Sequence, residues 1–367
     1  MTTQSTGSRV KWVDVAKGIA ILLVVLQHAV LFAAVRDWAP RWLIDANDEL
    51  ATFRMPLFFL ASGMFAARSL SSSWSVVLRK RIAFYVWVYV LWLVIRYAFF
   101  AFVPNPTEPS EGHDLAGLFL GLVLPSTGLW FIFGLAVFSF IGKLIWRVPP
   151  VVQLTAAAVL SASAGGFLLP IDNFAWRRMA MYLVFFLAGA HLSKAIRSVA
   201  EATNAVRAGL TVGAFVAASA AVRVVGVGDR FGVTLVVSVL AVAAGISLSV
   251  LICDSTVGRW LFVLGQRTID VYLPHVMIVG GLTAAVAALG LAPSSAAAGA
   301  LLVLGVVMVT VPTSLLLASG LRRIGGGWLF ALPEKLAQPS RRAETERPGS
   351  AAAIQRQPRD PLGAEQG

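Results

Sequence analysis

The chain is organised around one stretch near its start, which reads Lys11-Trp-Val-Asp-Val-Ala-Lys-Gly-Ile-Ala-Ile-Leu-Leu-Val-Val-Leu-Gln-His28. It opens with charged residues, becomes apolar after Gly18, and stays apolar beyond His28 as far as Val35. The run is long enough to cross a membrane as a helix. An ionisable side chain at that depth is costly and usually faces a protein interior or an aqueous cavity, so His28 is a candidate functional residue. The alternative is a histidine that only hydrogen-bonds a neighbouring helix.

The composition of the whole chain is that of a membrane protein. Of its 367 residues, 58% are hydrophobic and 13% are charged, whereas about 25% are charged in soluble proteins. The net charge of +12 comes from Lys and Arg in short segments between apolar runs and in the tail, so we assign it to membrane topology and expect no nucleic-acid partner. The single cysteine, Cys253, excludes an intrachain disulfide framework, and the scattered histidines lack the spacing of metal ligands. We therefore expect no metal.

Ten apolar runs of membrane length predict an all-α transmembrane bundle with about ten spans. They cover residues 15–35, 51–68, 82–103, 129–146, 150–170, 179–195, 206–227, 233–252, 269–290 and 296–319. On this division, 22 of the 30 Lys and Arg residues lie on the side of the N-terminus and six on the other, which predicts that both termini are cytoplasmic. The chain then divides into a cytoplasmic N-terminus (1–14), a membrane domain (15–320) and a cytoplasmic tail (321–367) that is largely disordered from about residue 338.

The second predicted span has an arginine near its external end. The span reads Thr52-Phe-Arg-Met-Pro-Leu-Phe-Phe-Leu-Ala-Ser-Gly-Met-Phe65, and its Ser62-Gly63 pair offers a small surface on which another helix can pack closely. If the first span starts near Asp14, His28 lies about 21 Å along it at roughly 1.5 Å per residue, near the depth that Arg54 can reach. Arg54 is therefore either a site residue beside His28 or a side chain that snorkels to the lipid headgroups.

The ninth predicted span is introduced by the stretch Leu264-Gly-Gln-Arg-Thr-Ile-Asp-Val-Tyr-Leu-Pro-His275. Tyr272 and His275 are three residues apart and so share one face of a helix. Pro274 between them is expected to bend the helix or to free a backbone carbonyl. This combination favours the wall of a pocket over simple packing.

These motifs, together with Leu129-Trp130-Phe131, follow one another in order over residues 11–275. In that order they resemble the acyltransferase-3 family of bacterial integral membrane acyltransferases, nearest its fucose 4-O-acetylase-like branch. The resemblance implies a multi-pass enzyme of the bacterial inner membrane that transfers an acyl group, commonly acetyl from acetyl-CoA, to a hydroxyl. The acceptor would be an envelope glycan, a lipid-linked sugar or a related metabolite. The resemblance also implies that His28 is the catalytic histidine.

Two residues depart from the family pattern. Lys11 stands where the family often has arginine, which keeps the charge but loses the bidentate fork. His191 stands where an apolar or aromatic residue is usual, and its role is left open.

The chemistry of such a transfer can be argued from the residues themselves. A sugar hydroxyl is a poor nucleophile, and neutral imidazole is the side chain best suited to remove its proton near neutral pH. We therefore expect His28 to be the base, with Arg54 as the second catalytic candidate. The phosphates of acyl-CoA need cations on the cytoplasmic side, although positive-inside topology alone also explains the cations there. The expected donor-binding residues are Lys11, Asp14, Lys17, Trp130, Arg267, Tyr272 and His275, while Asp14 could equally cap the first span.

Two other classes of function remain open from the sequence. A transporter or flippase would use intramembrane His and Arg as coupling residues, but the two halves of the chain lack a matching pair of helices interrupted by Gly or Pro. A protein that only binds the ligand is the third alternative. Acyl-CoA, a hydroxyl-bearing acceptor and membrane lipids are the partners that the leading hypothesis implies.

Overall fold

The computed structural model describes residues 11–125 and 127–333, and its regular structure there is entirely helical. The helices are α1 (Lys11–Ala34), α2 (Arg41–Glu49), α3 (Ala51–Leu70), α4 (Trp74–Val77), α5 (Ala83–Phe100), α6 (Leu115–Leu120), α7 (Trp130–Leu144), α8 (Pro150–Gly165), α9 (Phe174–His191), α10 (Ser193–Glu201), α11 (Ala205–Val225), α12 (Val233–Ile252), α13 (Thr256–Gln266), α14 (Thr268–Tyr272), α15 (His275–Ala288) and α16 (Ala296–Arg323). A π-helical turn (Leu78–Ile82) joins α4 to α5, and a 3-10 turn (Gly326–Leu329) follows α16. The predicted all-α fold is confirmed. The predicted disorder of the tail concerns residues outside the described ranges.

Seven helical segments among the described residues are long and apolar enough to cross a membrane. An eighth arises if α9 and α10, which meet at an angle of 80°, form one broken span. Two further apolar helices, α7 and α8, have 15 and 16 residues and coincide with the fourth and fifth predicted spans. At about 1.5 Å per residue they are shorter than a hydrocarbon core of about 30 Å. The count of ten spans and the cytoplasmic location of both termini therefore stay predictions.

Helix α1 lies in the middle of the bundle, because it packs against α3, α12, α13, α15 and α16. More than half of its residues are buried, whereas in α11 only Ala208 and Ser219 are buried. Small residues permit the close contact between α1 and α13. A Cβ on Gly18 would lie 2.1 Å from the carbonyl oxygen of Leu261, and one on Gly265 would lie 1.7 Å from that of Asp14. The central position of α1 surrounds its histidine with protein.

The ninth predicted span is interrupted in its first half. Helix α14 ends at Tyr272 and α15 begins at His275, with Leu273 and Pro274 between them. Pro274 lacks a backbone N–H and cannot continue the hydrogen-bond ladder of α14. The break lies beside α1, which brings His275 against the histidine of that helix.

Candidate active site

His28 of α1 lines a cavity of about 130 Å³, called the His28 cavity below. The other lining residues come from α1, α3, α7, α9, α14 and the loop segments before α6 and α7, and they are Val24, Gln27, Leu31, Arg54, Met55, Glu108, Thr127, Gly128, Trp130, Phe131, Phe174, Arg178 and Tyr272. About half of these residues are apolar, and the others carry polar or charged groups that line the same space, namely Gln27, His28, Arg54, Glu108, Thr127, Arg178 and Tyr272. Such a mixture is typical of a site that binds and orients a small molecule.

Two backbone carbonyls determine which ring nitrogen of each histidine carries the proton. His28 Nδ1 lies 2.9 Å from the carbonyl oxygen of Val24, and His275 Nδ1 lies 2.5 Å from that of Tyr272. A carbonyl only accepts, so the Nδ1 atom of each ring is the N–H donor. His275 Nε2 then has a free lone pair, and it lies 3.2 Å from His28 Nδ1, whose N–H it can share. His28 Nε2 is left as an acceptor, as a general base requires.

Arg54 is 4% exposed and belongs to a hydrogen-bonded group at one end of the His28 cavity. Its Nη2 donates to Gln27 Oε1, and its Nη1 donates to the carbonyl oxygen of Asn47 at 2.9 Å. Asn47 Nδ2 also donates to Gln27 Oε1, at 2.9 Å. With its charge inside the protein, Arg54 does not snorkel to lipid. It ties α3 to the residue that precedes His28.

Two further charged residues line the same cavity, and the sequence did not single out either of them. Arg178 stacks on the ring of Phe174, with Cζ 4.5 Å from its centroid. Glu108 reaches the cavity from the loop between α5 and α6. Burial raises the pKa of Glu108 to about 7, while Arg96 lowers this pKa and Glu111 raises it. Near neutral pH this carboxyl group is therefore present in both forms, and it can donate or accept hydrogen bonds.

A second cavity of about 280 Å³, called the Lys17 cavity below, lies on the other side of two aromatic rings. Phe131 and Tyr272 line both cavities. Their rings meet at 62°, with centroids 5.5 Å apart, and the hydroxyl of Tyr272 donates to the carbonyl oxygen of Gly128 at 2.7 Å. The remaining lining residues of the Lys17 cavity are Lys17, Phe58, Ser62, Phe65, Arg81, Phe84, Tyr85, Ile132, Leu135, Thr268 and Ile269.

The other residues predicted from the sequence are spread over the fold. Lys17 forms a 2.7 Å ion pair with the buried Asp14, and Trp130 lines the His28 cavity. Lys11 is exposed and lies 3.6 Å from Asp254. The structure does not bring Lys11 to either cavity.

Arg267 does not line either cavity, although the next residue, Thr268, lines the Lys17 cavity. It forms an ion pair with Asp270 at 2.9 Å and a hydrogen bond with Ser319 at 2.7 Å. Asp270 pairs in addition with Arg322 at 2.5 Å, so this group joins α14 to α16. His191, whose role was left open, bonds Gln153 Oε1 at 2.9 Å and stacks on Trp146. These contacts place His191 beside Gln153 and Trp146, while the donor-binding role expected for Arg267 stays a prediction.

A buried ion pair beside the His28 cavity was missed in the sequence. Arg96 of α5 is 1% exposed. Its Nε and Nη2 donate to the two carboxylate oxygens of Glu111, at 2.9 and 2.8 Å. Asn105 donates to the same carboxylate at 2.7 Å. The position of Arg96 inside an apolar span was the available signal, because charges at that depth are usually functional.

Comparison with known proteins gives a family match over most of the chain. The family model of an acyltransferase domain matches residues 10–319. The inner membrane protein YcfT of Escherichia coli (strain K12) is 29% identical over 176 residues, which are 42% of this chain and 49% of that protein. The match thus spans about half the length of that relative. No solved structure matches the chain. Within residues 11–125 and 127–333, no group of three or more His, Cys, Asp or Glu side chains is placed to hold a metal ion.

Proposed function

The chain belongs to the acyltransferase-3 family, and on this premise we propose that it is an O-acyltransferase of the bacterial inner membrane. Its donor is an acyl-CoA, with acetyl-CoA as the first to test. Its acceptor is a hydroxyl group of an envelope glycan, a lipid-linked sugar or a related metabolite. The inner-membrane location is supported by the helices of membrane length and by the name of the E. coli relative.

The observation that best supports this function is the pair of cavities that meet at Tyr272 and Phe131. An acyl transfer between a cytoplasmic donor and an acceptor in or beyond the membrane needs two approaches to one reacting centre. The Lys17 cavity has two cations, Lys17 and Arg81, on the side where the charge distribution predicts the cytoplasm. We assign this cavity to the acyl-CoA, with its phosphates toward the cations and its thioester toward Tyr272.

The His28 cavity suits a hydroxyl-bearing acceptor. The amide of Gln27, the guanidinium of Arg178 and the carboxyl group of Glu108 provide both donors and acceptors within one cavity. Sugar hydroxyls need both kinds of partner, and a site that pairs them rejects molecules that lack them. Apolar walls around these groups limit the access of water, which would otherwise hydrolyse the thioester.

In the proposed reaction, His28 Nε2 takes the proton of the acceptor hydroxyl as its oxygen attacks the thioester carbon. His28 Nδ1–H stays bonded to the Val24 carbonyl and to His275 Nε2, so the ring keeps its orientation while it gains the proton. The C–S bond then breaks, and the sulfur of CoA takes the proton from His28. The products are an ester and CoA-SH. His275 acts as a positioning residue, and Arg54 holds Gln27 at the acceptor end.

Transfer of label tests this function directly. Full-length protein in membranes is incubated with acetyl-CoA labelled in the acetyl group and with a lipid and glycan fraction of a bacterial envelope. We expect the label to appear in an ester, with one CoA-SH released per ester formed. A folded protein that moves a solute across vesicles but transfers no label would support the transporter alternative instead.

The assignment of the donor cavity predicts a selective effect of Arg81. Its guanidinium bonds Tyr85 and Ser139 at 3.2 and 3.3 Å, and it lines the Lys17 cavity. Replacing Arg81 by glutamine removes a phosphate partner, for which charge-assisted hydrogen bonds are worth about 1.5–3 kcal/mol. We expect the KM for the donor to rise by about tenfold or more, with little change in the KM for the acceptor.

Arg79 provides the matched control for this experiment. It lies two residues before Arg81 and is equally charged, but it is exposed and does not line the Lys17 cavity. Arg79→Gln should leave both KM values within about twofold of the wild type, since exposed charges contribute little. Equal effects of the two substitutions would mean that the donor senses only the overall positive charge of this surface.

A further inference from the structure

Arg96 is held by only part of its guanidinium group. Its Nε and Nη2 donate to both oxygens of Glu111, which is the bidentate arrangement that determines the plane of the guanidinium. The ring of Phe100 lies 5.2 Å from Cζ. Glu111 is in turn held by Asn105 at 2.7 Å. The orientation of Arg96 is therefore determined before any substrate binds.

The third nitrogen, Nη1, is buried and has no hydrogen-bond partner among the residues that the structure describes. A buried donor without a partner costs about 1–3 kcal/mol, and more when it is charged. Buried polar groups in native proteins are nearly always paired, so an exception requires a reason. The ion pair with Glu111 does not provide it, because that pair is complete without Nη1.

Gly128 shows where Nη1 is placed. A Cβ on Gly128 would lie 3.4 Å from Arg96 Nη1 and 3.2 Å from His28 Nε2. The donor nitrogen and the proposed basic nitrogen thus both approach the face of Gly128 from which a side chain would project. Gly128 lines the His28 cavity and is held through its carbonyl by Tyr272. A reacting group packed against this face of Gly128 is near both a base and a fixed N–H donor, as catalysis of acyl transfer requires.

We propose that Arg96 is a further catalytic residue, whose Nη1–H stabilises the oxyanion that forms on the acyl carbonyl oxygen. The inference rests on the proposed function. As the acceptor oxygen bonds to the thioester carbon, the π electrons of the carbonyl group move to its oxygen, and His28 Nε2 takes the hydroxyl proton. Arg96 Nη1–H donates to this oxygen. When the C=O bond re-forms, the C–S bond breaks and the sulfur receives the proton from His28. A preorganised donor in a site that excludes water is effective because it does not have to reorganise.

The first test is Arg96→Lys, which keeps the charge near Glu111 but cannot present a second fixed nitrogen beside Gly128. The donors are acetyl-CoA and its dithioester analogue, in which the carbonyl oxygen is replaced by sulfur, a weak hydrogen-bond acceptor. We expect kcat with acetyl-CoA to fall by about 10²- to 10³-fold, with less than about a threefold change in the KM for the donor. The preference of the enzyme for the oxygen donor should shrink in the same variant, which a merely structural role of Arg96 would not cause.

Gly128→Ala is a second variant that leaves every charge in place. Its methyl group would occupy the point between Arg96 Nη1 and His28 Nε2. We expect a folded protein with a strongly reduced kcat, whereas Gly305→Ala, with no atom within 4 Å of the new Cβ, should match the wild type. Monodisperse elution in detergent verifies that each variant is folded. If Arg96→Lys does not fold, Gly128→Ala still tests the proposal.

Three outcomes would overturn the inference. They are near-normal turnover in a folded Arg96→Lys protein, an unchanged preference for the oxygen donor in that variant, and near-normal turnover in Gly128→Ala. A wild-type protein that transfers no acetyl group would instead contradict the proposed function itself.

Discussion

Replacing His28 by glutamine should nearly abolish acyl transfer while the protein remains folded in the membrane. His28 Nε2 is the acceptor nitrogen at the cavity, because Nδ1 donates to the carbonyl oxygen of Val24. Glutamine retains a polar group of similar reach but cannot take a proton from the acceptor hydroxyl. Loss of a general base typically costs about 10²- to 10⁴-fold in rate. We expect a decrease in kcat within this range, measured as label transferred from acetyl-CoA at matched amounts of folded protein.

Two companion variants determine how this result is interpreted. His28→Ala should lose activity to the same extent as His28→Gln, since both lack the base. His275→Ala should lose less activity. It removes one of the two partners of His28 Nδ1, and the other partner, the Val24 carbonyl, still orients the His28 ring. Near-normal turnover of His28→Gln would make His28 a packing residue and would contradict the proposed mechanism.

The depth of charged residues in apolar spans was sufficient to predict part of this site. The sequence places His28 and Arg54 at similar depths on two spans, and both side chains line one cavity. The prediction needed only the rise of a helix per residue and the cost of charge in lipid. The roles of the two residues remain proposals.

The residues that were missed depend on contacts that helix periodicity does not encode. Glu111 and Glu108 lie in the loop between α5 and α6. They come close to Arg96 only because that loop folds back onto α5. The proposed role of Gly128 depends on the positions of Arg96 and His28 around it, which the sequence alone does not show. Sequence spacing describes one helix at a time, whereas this part of the site is formed by α1, α5 and the loops before α6 and α7.

The two residues of the ninth span show how a local rule can be incomplete. A continuous helix would present Tyr272 and His275 on one face, and the sequence interpretation assigned both to the donor pathway. The helix breaks at Leu273 and Pro274. Tyr272 then lines the cavities, while His275 is 1% exposed and lies against His28. Pro274 was correctly expected to disturb the helix, but the direction of each side chain after the break depends on α1.

The packing of α3 shows what the sequence can predict about helix contacts. Ser62-Gly63 was expected to offer a small surface to another helix, and Gly63 does lie against α9. A Cβ on Gly63 would be 2.0 Å from the carbonyl oxygen of Phe186, and one on Gly189 of α9 would be 2.1 Å from that of Leu60. The sequence indicated the small residue on α3, whereas the identity of its partner helix required the fold.

Replacing Gly189 by alanine should therefore destabilise the protein, although alanine normally favours a helix over glycine by about 1 kcal/mol. The new methyl group would meet the Leu60 carbonyl oxygen at 2.1 Å and the Met64 nitrogen at 2.9 Å. Both atoms belong to the backbone, so no rotamer change can relieve the contact and the helices must separate. Overpacking typically costs about 1–3 kcal/mol. We expect the Tm in detergent to fall by several degrees, and Gly189→Val, which adds two further methyl groups, to yield almost no folded protein.

The matched control should not show this loss of stability. Gly213 of α11 has no atom within 4 Å of an added Cβ, so Gly213→Ala should leave the Tm unchanged or raise it through helix propensity alone. Separation of α3 from α9 would also move Arg54 and Arg178 apart, because these helices supply the two arginines of the His28 cavity. Any Gly189→Ala protein that survives purification should therefore lose transfer activity as well as stability. A variant with the Tm and the activity of Gly213→Ala would show that α3 and α9 do not pack as closely as these distances require.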